Sequence, residues 1–267
     1  MAALMPHHKL ILLIIDPQND FHPGGSLGIA TANEDTERIA AFIDRHISAI
    51  DEIYVTLDSH HKLHIAHGAY WTNSSGETPA PFTIVTNEEI QKGVWFPRDP
   101  HNMEHAKNYT RQLEAKGRFK LCIWPEHCLI GTTGHAVVPR LNAALQNWAG
   151  TNLKEINYVH KGMNCATEMY SAIAADVPVP SDPATYVNHK LLDHLKTADQ
   201  LVVCGQALSH CVNFTCRDIL NHWHADRSKI CIMADGSSPV AGFEEQGTQF
   251  LDDMKKEGVT ILRSSNF

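Results

Sequence analysis

The stretch Leu10-Ile11-Leu12-Leu13-Ile14-Ile15, closing on Asp16, decides how the rest of the chain reads. It is apolar without alternation, so no face is left for water, and such a run fits a strand buried on both sides, as in a parallel sheet. Ile53-Tyr54-Val55-Thr56-Leu57 is predicted as a second strand and also ends on an aspartate, Asp58. Between the two, Asn33 or Asp35 can cap a helix that carries Ile39, Ala40, Phe42, Ile43 and Ile47 on one face. Further strands are predicted at 156–160, leading into Lys161, and at 201–205, 229–233 and 259–262. Helices are predicted over 136–148, 168–174, 188–195, 211–222 and 243–256. Strands alternating with helices imply an α/β fold, a three-layer Rossmann-like arrangement with a mostly parallel sheet flanked by helices. Ligands of such sheets bind beyond the carboxyl ends of the strands. Asp16, Asp58, Lys161 and the turn from Gly205 to Cys211 all fall just past such ends.

The rhythm breaks between about 61 and 120, where Trp71-Thr72-Asn73-Ser74-Ser75-Gly76, Pro79-Ala80-Pro81 and Phe96-Pro97-Arg98-Asp99-Pro100 surround one predicted helix at 104–116. With too few periodic apolar residues for a core of its own, this segment reads as an insertion or lid within a single domain spanning 1–267. The chain carries 22 basic and 30 acidic residues, a formal net charge of −8 with histidines neutral. That balance argues against a nucleic-acid or anionic-membrane partner and fits an enzyme acting on a small molecule. The seven cysteines are an odd number, no signal-peptide pattern opens the chain, and no apolar run is long enough to span a membrane. The expectation is therefore reduced thiols in the cytoplasm.

Cys211 follows a predicted strand through Gln206-Ala207-Leu208-Ser209-His210 and opens a helix. A helix amino terminus offers free N–H groups and a positive dipole end, which favour a thiolate and can bind an oxyanion. On this ground the thiol pKa is expected to fall. Asp16 can take the thiol proton and Lys161 can supply an ammonium that holds both. Taken singly, each has a plain structural reading: a small buried thiol, an Asp-Pro turn former, a solvated lysine before Gly162. Asp58 and His60, spaced by one residue, can share a cation. A third ligand must come from elsewhere, and His61, His64, His67, His101, His105 and His127 are all arithmetically possible among the 18 histidines.

Five segments, in order, resemble the nicotinamidases within the isochorismatase-like cysteine hydrolases. They are Asp16-Pro17-Gln18-Asn19-Asp20-Phe21 with His22-Pro23-Gly24-Gly25 after it; Thr56-Leu57-Asp58-Ser59-His60; Trp124-Pro125-Glu126-His127-Cys128; Val159-His160-Lys161-Gly162 with Tyr170-Ser171-Ala172; and Val203-Cys204-Gly205-Gln206-Ala207 running on to Cys211-Val212. The resemblance implies a metal-dependent amidohydrolase in which Cys211 attacks an amide carbonyl, Asp16 moves the proton and Lys161 stabilises the charged pair. It implies an oxyanion site made by the backbone N–H groups of Ala207 and Cys211, with a cis peptide at Gln206–Ala207. One divalent ion, Zn2+, would be held by Asp58, His60 and His127. Phe21 and Trp124 would flank the substrate ring, and His210 borders the same pocket. The resemblance further implies a homo-oligomer and a small-molecule amide substrate, nicotinamide above all.

The chain departs from the family pattern in three places. His210 stands where nicotinamidases commonly carry tyrosine, Asp58-Ser59-His60-His61 replaces Asp-Trp-His-Pro, and the 61–120 segment is longer than in compact members. These departures border the pocket and so bear on the substrate, leaving another small amide as the alternative and a non-catalytic binding protein as a more distant one. Isochorismate ether cleavage fits less well, because that branch does not use the metal set. Glu168 either reaches the metal waters or the substrate amide, or is a first-turn acid favoured by a helix dipole.

Overall fold

The computed structural model describes residues 8–267. The apolar run forms β1 (Leu10–Ile15), followed by α1 (Ala32–Arg45) and β2 (Ile50–Asp58). Short elements come next: β3 (Trp71–Thr72), β4 (Ile84–Val85), α2 (Asn87–Gln91), β5 (Phe96–Pro97), α3 (Met103–Lys116) and β6 (Leu121–Cys122). The alternation then resumes with α4 (Pro139–Asn152), β7 (Asn157–Lys161), α5 (His189–Leu195) and β8 (Gln200–Gly205). It closes with α6 (Cys211–Asn221), β9 (Ile230–Met233), α7 (Glu244–Lys256) and β10 (Thr260–Leu262).

Six strands make one sheet in the order β10-β9-β8-β1-β2-β7, and every pairing is parallel. β1 sits in the interior, so its side chains alternate between two cores. Ile11, Leu13 and Ile15 join a cluster with Leu191, Val212, Ile219 and Phe250, while Leu12 and Ile14 join Ile39, Phe42, Leu141 and Trp148. Helices α1 and α4 thus cover one face, and α5, α6 and α7 cover the other. The α/β reading of the sequence is borne out.

The order β8-β1-β2-β7 sets the site. It lines up the turn after β8, Asp16 after β1, Asp58 at the end of β2 and Lys161 at the end of β7. Within the β2–β7 register, Asp58 is paired directly with Lys161. Between β1 and β8, Ile15 is opposite Gly205, whose φ of 111° and lack of a Cβ admit the Ile15 carbonyl; a Cβ there would overlap that oxygen.

Three local readings change. Asn33 and Asp35 do not cap α1; both lie inside it behind Thr31, and Asp35 turns inward to accept a bond from Gln206 Nε2 at 2.9 Å. Helix α4 starts at Pro139 rather than near 136, because a proline ring disfavours helical geometry in the residue before it and Val138 is extended (ψ 140°). No helix forms over 168–174. Its backbone groups are taken elsewhere: Ala172 N–H by Thr215 Oγ1, Ile173 N–H by Ser171 Oγ and the Ile173 carbonyl by Asn188 N–H. Tertiary bonds override the local helical preference there.

The 61–120 segment forms one antiparallel two-stranded ribbon, β3 with β5, supplies β4 to a second with β6 just beyond it, and carries α2 and α3. Its buried Trp71, Val85, Tyr109 and Leu113 belong to the same apolar cluster as Ile11 and Leu13 of the sheet. All seven cysteines are free. Among the described residues, no helix is long and apolar enough to cross a membrane.

Candidate active site

Strand ends deliver the reactive groups. Lys161 Nζ lies 2.8 Å from Asp16 Oδ2, 3.1 Å from Asp58 Oδ1 and 3.5 Å from Cys211 Sγ, and the lysine is 2% exposed. The Asp16 carboxylate lies close enough to the Cys211 thiol to act on it electrostatically. Asp16 sits at φ 43°, in left-handed geometry that is uncommon outside glycine. Thr56 secures it twice: Thr56 Oγ1 donates to Asp16 Oδ1 at 2.5 Å and lies 3.0 Å from the Asp16 amide, whose N–H also meets the Thr56 carbonyl at 3.1 Å.

The buried charges set the proton inventory. Burial raises the Asp16 carboxyl above its ordinary range against the pull of Lys161. Burial opposes the Lys161 charge, but Asp16 and Asp58 hold its pKa well above the usual lysine value. Burial also raises the Cys211 thiol, and Asp16 and Asp58 add to that against Lys161. The expected fall in the thiol pKa is therefore overturned. The dipole at the start of α6 is outweighed by desolvation and two nearby carboxylates, so the resting thiol keeps its proton.

In the turn between β8 and α6 the Gln206–Ala207 peptide is cis. Among the described residues neither the Ala207 nor the Cys211 N–H is taken up by a backbone acceptor. Both remain available beside the thiol.

The second cluster is built from loops. His60 Nδ1 meets the Gly162 carbonyl at 3.1 Å, His127 Nδ1 the Pro125 carbonyl at 2.8 Å and His67 Nδ1 the Lys62 carbonyl at 3.3 Å. A carbonyl only accepts, so each of these Nδ1 atoms carries a proton, and each Nε2 can offer a lone pair once its imidazole is neutral. Ligand nitrogens of the three histidines lie within 4.8 Å of one another. Asp58 Oδ2 stands 3.0 Å from His60 Nε2 and 3.3 Å from His127 Nε2. His67 Nε2 is buried without a hydrogen-bond partner, an arrangement that is costly unless something accepts its lone pair. Burial, with His60 and His127 nearby, lowers His67 to about 3, so it is a neutral imidazole. Burial opposes the charge of Asp58, yet His60 and Lys161 hold its pKa well below the usual carboxylate value. Three imidazoles oriented by their Nδ1 bonds, one of them with an orphaned Nε2, and one ionised carboxylate fit a divalent cation of the zinc type. Gly162, at φ 73°, makes room for them; a Cβ there would stand 2.8 Å from His60 Cε1 and 2.9 Å from Asp58 Oδ1.

Geometry sorts the candidate histidines. His61 and His101 are exposed, and His105 Nε2 bonds the Ala166 carbonyl at 2.6 Å. His64 has both nitrogens engaged, by the Thr167 carbonyl and the Ala66 N–H, so it packs against His60 without a free lone pair. Asp58, His60 and His127 come together as the resemblance implied, and His67 joins them. The sequence offered His67 only as one of several possible ligands and could not select it, because its distance from His60 is set by an irregular loop, with no helical or strand period to aim it.

Between the two clusters lies a narrow pocket of about 20 Å³, walled by Phe21, Leu27, Trp124, Tyr170, His210 and Val240. Cys211, Asp58, His127, Ala207 and Glu168 also reach it. Trp124 Nε1 donates to Tyr170 Oη at 2.9 Å, and the Trp124 and His210 rings meet edge-on at 5.1 Å. Burial lowers His210 to about 4, so it is neutral, with Nδ1 2.8 Å from Ser209 Oγ. Glu168 is buried, and burial raises its carboxyl against the pull of His60; one oxygen accepts from Met169 N–H at 2.9 Å. It lies in no helix, so the first-turn reading of Glu168 falls away. Tyr170, Leu27 and Val240 were not assigned to the pocket from the sequence. The first two lie within or beside segments already quoted, whereas Val240 carries no sequence signal.

A parallel α/β sheet with a buried Asp/Lys/Cys set and a histidine-rich cation cluster at its carboxyl edge defines the class of the chain. No profile of a known protein family matches it. A nicotinamidase of Escherichia coli strain K12 is 24% identical over 255 residues, covering 94% of this chain and 92% of that protein. An Acinetobacter baumanii nicotinamidase/pyrazinamidase structure superposes with a TM-score of 0.66 at 21% identity, over 98% of this chain and 99% of the other. A Pyrococcus horikoshii pyrazinamidase in complex with zinc gives 0.57 at 18% identity, over 96% and 99%. The likeness to nicotinamidases read from the five motifs is borne out by these relatives.

Proposed function

We propose that this chain is a metal-dependent cysteine amidohydrolase that hydrolyses nicotinamide to nicotinate and ammonia. The observation that carries the reading is the contact of Asp16, Lys161 and Cys211, with the unused N–H groups of Ala207 and Cys211 beside the thiol. Similarity to curated nicotinamidases over nearly the whole chain supports the substrate class.

In this reading Asp16 accepts the thiol proton as Cys211 Sγ bonds to the amide carbon. The ammonium of Lys161 compensates the negative charge that moves between them. The carbonyl oxygen, now an oxyanion, takes hydrogen bonds from the Ala207 and Cys211 N–H groups. Asp16 returns the proton to the amide nitrogen, the C–N bond breaks, and ammonia leaves a thioester on Cys211. A water then loses a proton to Asp16 and attacks the thioester carbon; the C–S bond breaks, the acid leaves and the thiol regains its proton. Asp58, His60, His127 and His67 would hold the cation, with Glu168 near it. When bound, the ion supplies a Lewis-acid anchor for the substrate's ring nitrogen or for water. Phe21, Trp124, Tyr170 and His210 confine a flat ring and exclude solvent.

The test is ammonia release from nicotinamide by the zinc-loaded protein, run beside a panel of other small amides. Turnover of nicotinamide that disappears in Cys211→Ala is expected. Turnover of another amide alone would move the substrate assignment, and full turnover by Cys211→Ala would remove the nucleophile.

A further inference from the structure

Asn19 and its neighbours form the loop that follows β1, and this loop touches the cation cluster without supplying a ligand. Gln18 is fully buried. Its side-chain amide grips both backbone groups of Asp58: Gln18 Oε1 accepts from Asp58 N–H at 2.7 Å, and Gln18 Nε2 donates to the Asp58 carbonyl at 2.7 Å. A second N–H of the same amide reaches the His135 carbonyl at 2.9 Å. Two residues on, Asp20 Oδ2 accepts from Cys128 N–H at 2.7 Å, and Oδ1 meets Ser26 N at 3.2 Å and Ser26 Oγ at 3.3 Å. Cys128 follows the ligand His127 and has a φ of 48°. Its carbonyl accepts from His60 N–H at 3.1 Å. The Asp20 carboxylate fills the space where Gly134 lacks a Cβ; any side chain there would overlap it.

We propose that Gln18 and Asp20 are positioning residues for the cation: Gln18 fixes Asp58, and Asp20, through Cys128, fixes His127 and His60. The inference rests on the metal reading above and deepens it. Asp58 ends a strand, and its backbone would otherwise lie free to turn toward solvent. The grip of Gln18 on both its N–H and its carbonyl sets the plane from which Oδ1 meets Lys161 and Oδ2 meets the histidines. Residues that orient metal ligands from behind shape affinity for the ion without touching it, and their loss typically costs about 10- to 100-fold in affinity. The same loop begins at Asp16, so one segment of chain carries the proton acceptor and aligns the cation cluster.

The experiment is zinc affinity of the metal-free full-length chain, read by competition with a chromophoric chelator, beside thermal unfolding of the same metal-free samples. Gln18→Glu keeps the acceptor for Asp58 N–H and loses both donors; Asp20→Ala loses the acceptor for Cys128 N–H; Asp20→Asn keeps one. Asn19→Ser serves as the control, since Asn19 Nδ2 bonds only the carbonyls of Thr133 and Ala136. Gln18→Glu and Asp20→Ala are expected to bind zinc about 10- to 100-fold more weakly, Asp20→Asn to recover most of the loss, and Asn19→Ser to match the parent. A role confined to folding would lower the melting temperature and leave the zinc affinity of the folded protein unchanged, and that result overturns the proposal. If Gln18→Glu does not fold, the Asp20→Ala and Asp20→Asn pair decides alone. A parent chain that binds no zinc overturns the metal reading, and this inference with it. A parent that binds and variants that bind equally well overturn this inference only.

Discussion

The Asp16/Lys161/Cys211 cluster and the Asp58/His60/His67/His127 cluster share one lysine–aspartate contact but are built in opposite ways. In the first, register does the placing. β8, β1 and β7 bring Cys211, Asp16 and Lys161 to one edge, and β2 between β1 and β7 brings Asp58 opposite Lys161. In the second, only Asp58 comes from a strand; His67 and His127 come from irregular chain and are aimed by Nδ1 bonds to the Lys62 and Pro125 carbonyls. A sheet edge positions groups rigidly and at positions readable from hydrophobic runs. A loop cluster depends on its outer hydrogen bonds and on its ion. Disturbing the first should therefore cost fold and chemistry together, whereas disturbing the second should cost ion affinity first.

The largest effect is expected from Cys211→Ala, which removes the proposed nucleophile. Turnover should fall by at least about 10⁴-fold, while zinc affinity stays within about twofold of the parent. Steady-state ammonia release and chelator competition on one preparation measure both. A loss of zinc together with activity would mean that the two clusters are a single unit and would erase the contrast.

Gly205→Ala strikes the register itself. The added methyl would overlap the Ile15 carbonyl at a position held at φ 111°, so β8 must shift against β1. Destabilisation by more than about 3 kcal/mol is expected, or failure to fold, measured by urea unfolding. Gly162→Ala makes the matched case on the loop side, where the methyl meets His60 and Asp58 side chains rather than a strand backbone. It should lose zinc affinity and keep most of its stability. Equal losses of stability in the two variants would contradict the division.

That division also explains what could be read in advance. Asp16 and Asp58 were legible because each ends a hydrophobic run, Lys161 because it follows a predicted strand, and Cys211 because it opens a helix just after such a run. Their contact follows from the strand order, which alternation alone does not dictate. The 168–174 helix failed because Thr215 and Asn188 capture its backbone from outside the local window, and the Ser171 side chain takes the Ile173 N–H within it. The rise in the thiol pKa went unseen for a related reason: desolvation and the closeness of two carboxylates are properties of the packed site, whereas the helix start is local.

His67→Asn sharpens the loop side. Its Nε2 is the buried nitrogen left without a partner, so removing it should cost zinc affinity about 100-fold, while His61→Asn, at an exposed position, should leave affinity unchanged. If His67→Asn binds zinc as the parent does, the cluster reduces to Asp58, His60 and His127. The orphaned nitrogen would then need another partner.

The smallest effect concerns acid stability and separates the two sides by proton uptake. Burial holds His210 at about 4 in the folded chain, against an ordinary histidine value of 6.5. Between those values the unfolded chain binds a proton at this residue and the folded chain does not, so stability rises with pH across the window and is lost as pH falls from about 6.5 to about 4. One such histidine contributes a slope of about 1.4 kcal/mol per pH unit. His210→Phe should flatten the metal-free unfolding profile by about that slope and leave a remainder. The remainder includes imidazoles that burial also lowers, among them His67 in the loop cluster and His64 beside it. Saturating zinc should steepen what is left, because protons compete with the ion for the histidines that hold it. A profile that His210→Phe leaves unchanged would mean that His210 is already solvated, and the apolar wall between the two clusters would then be open to water.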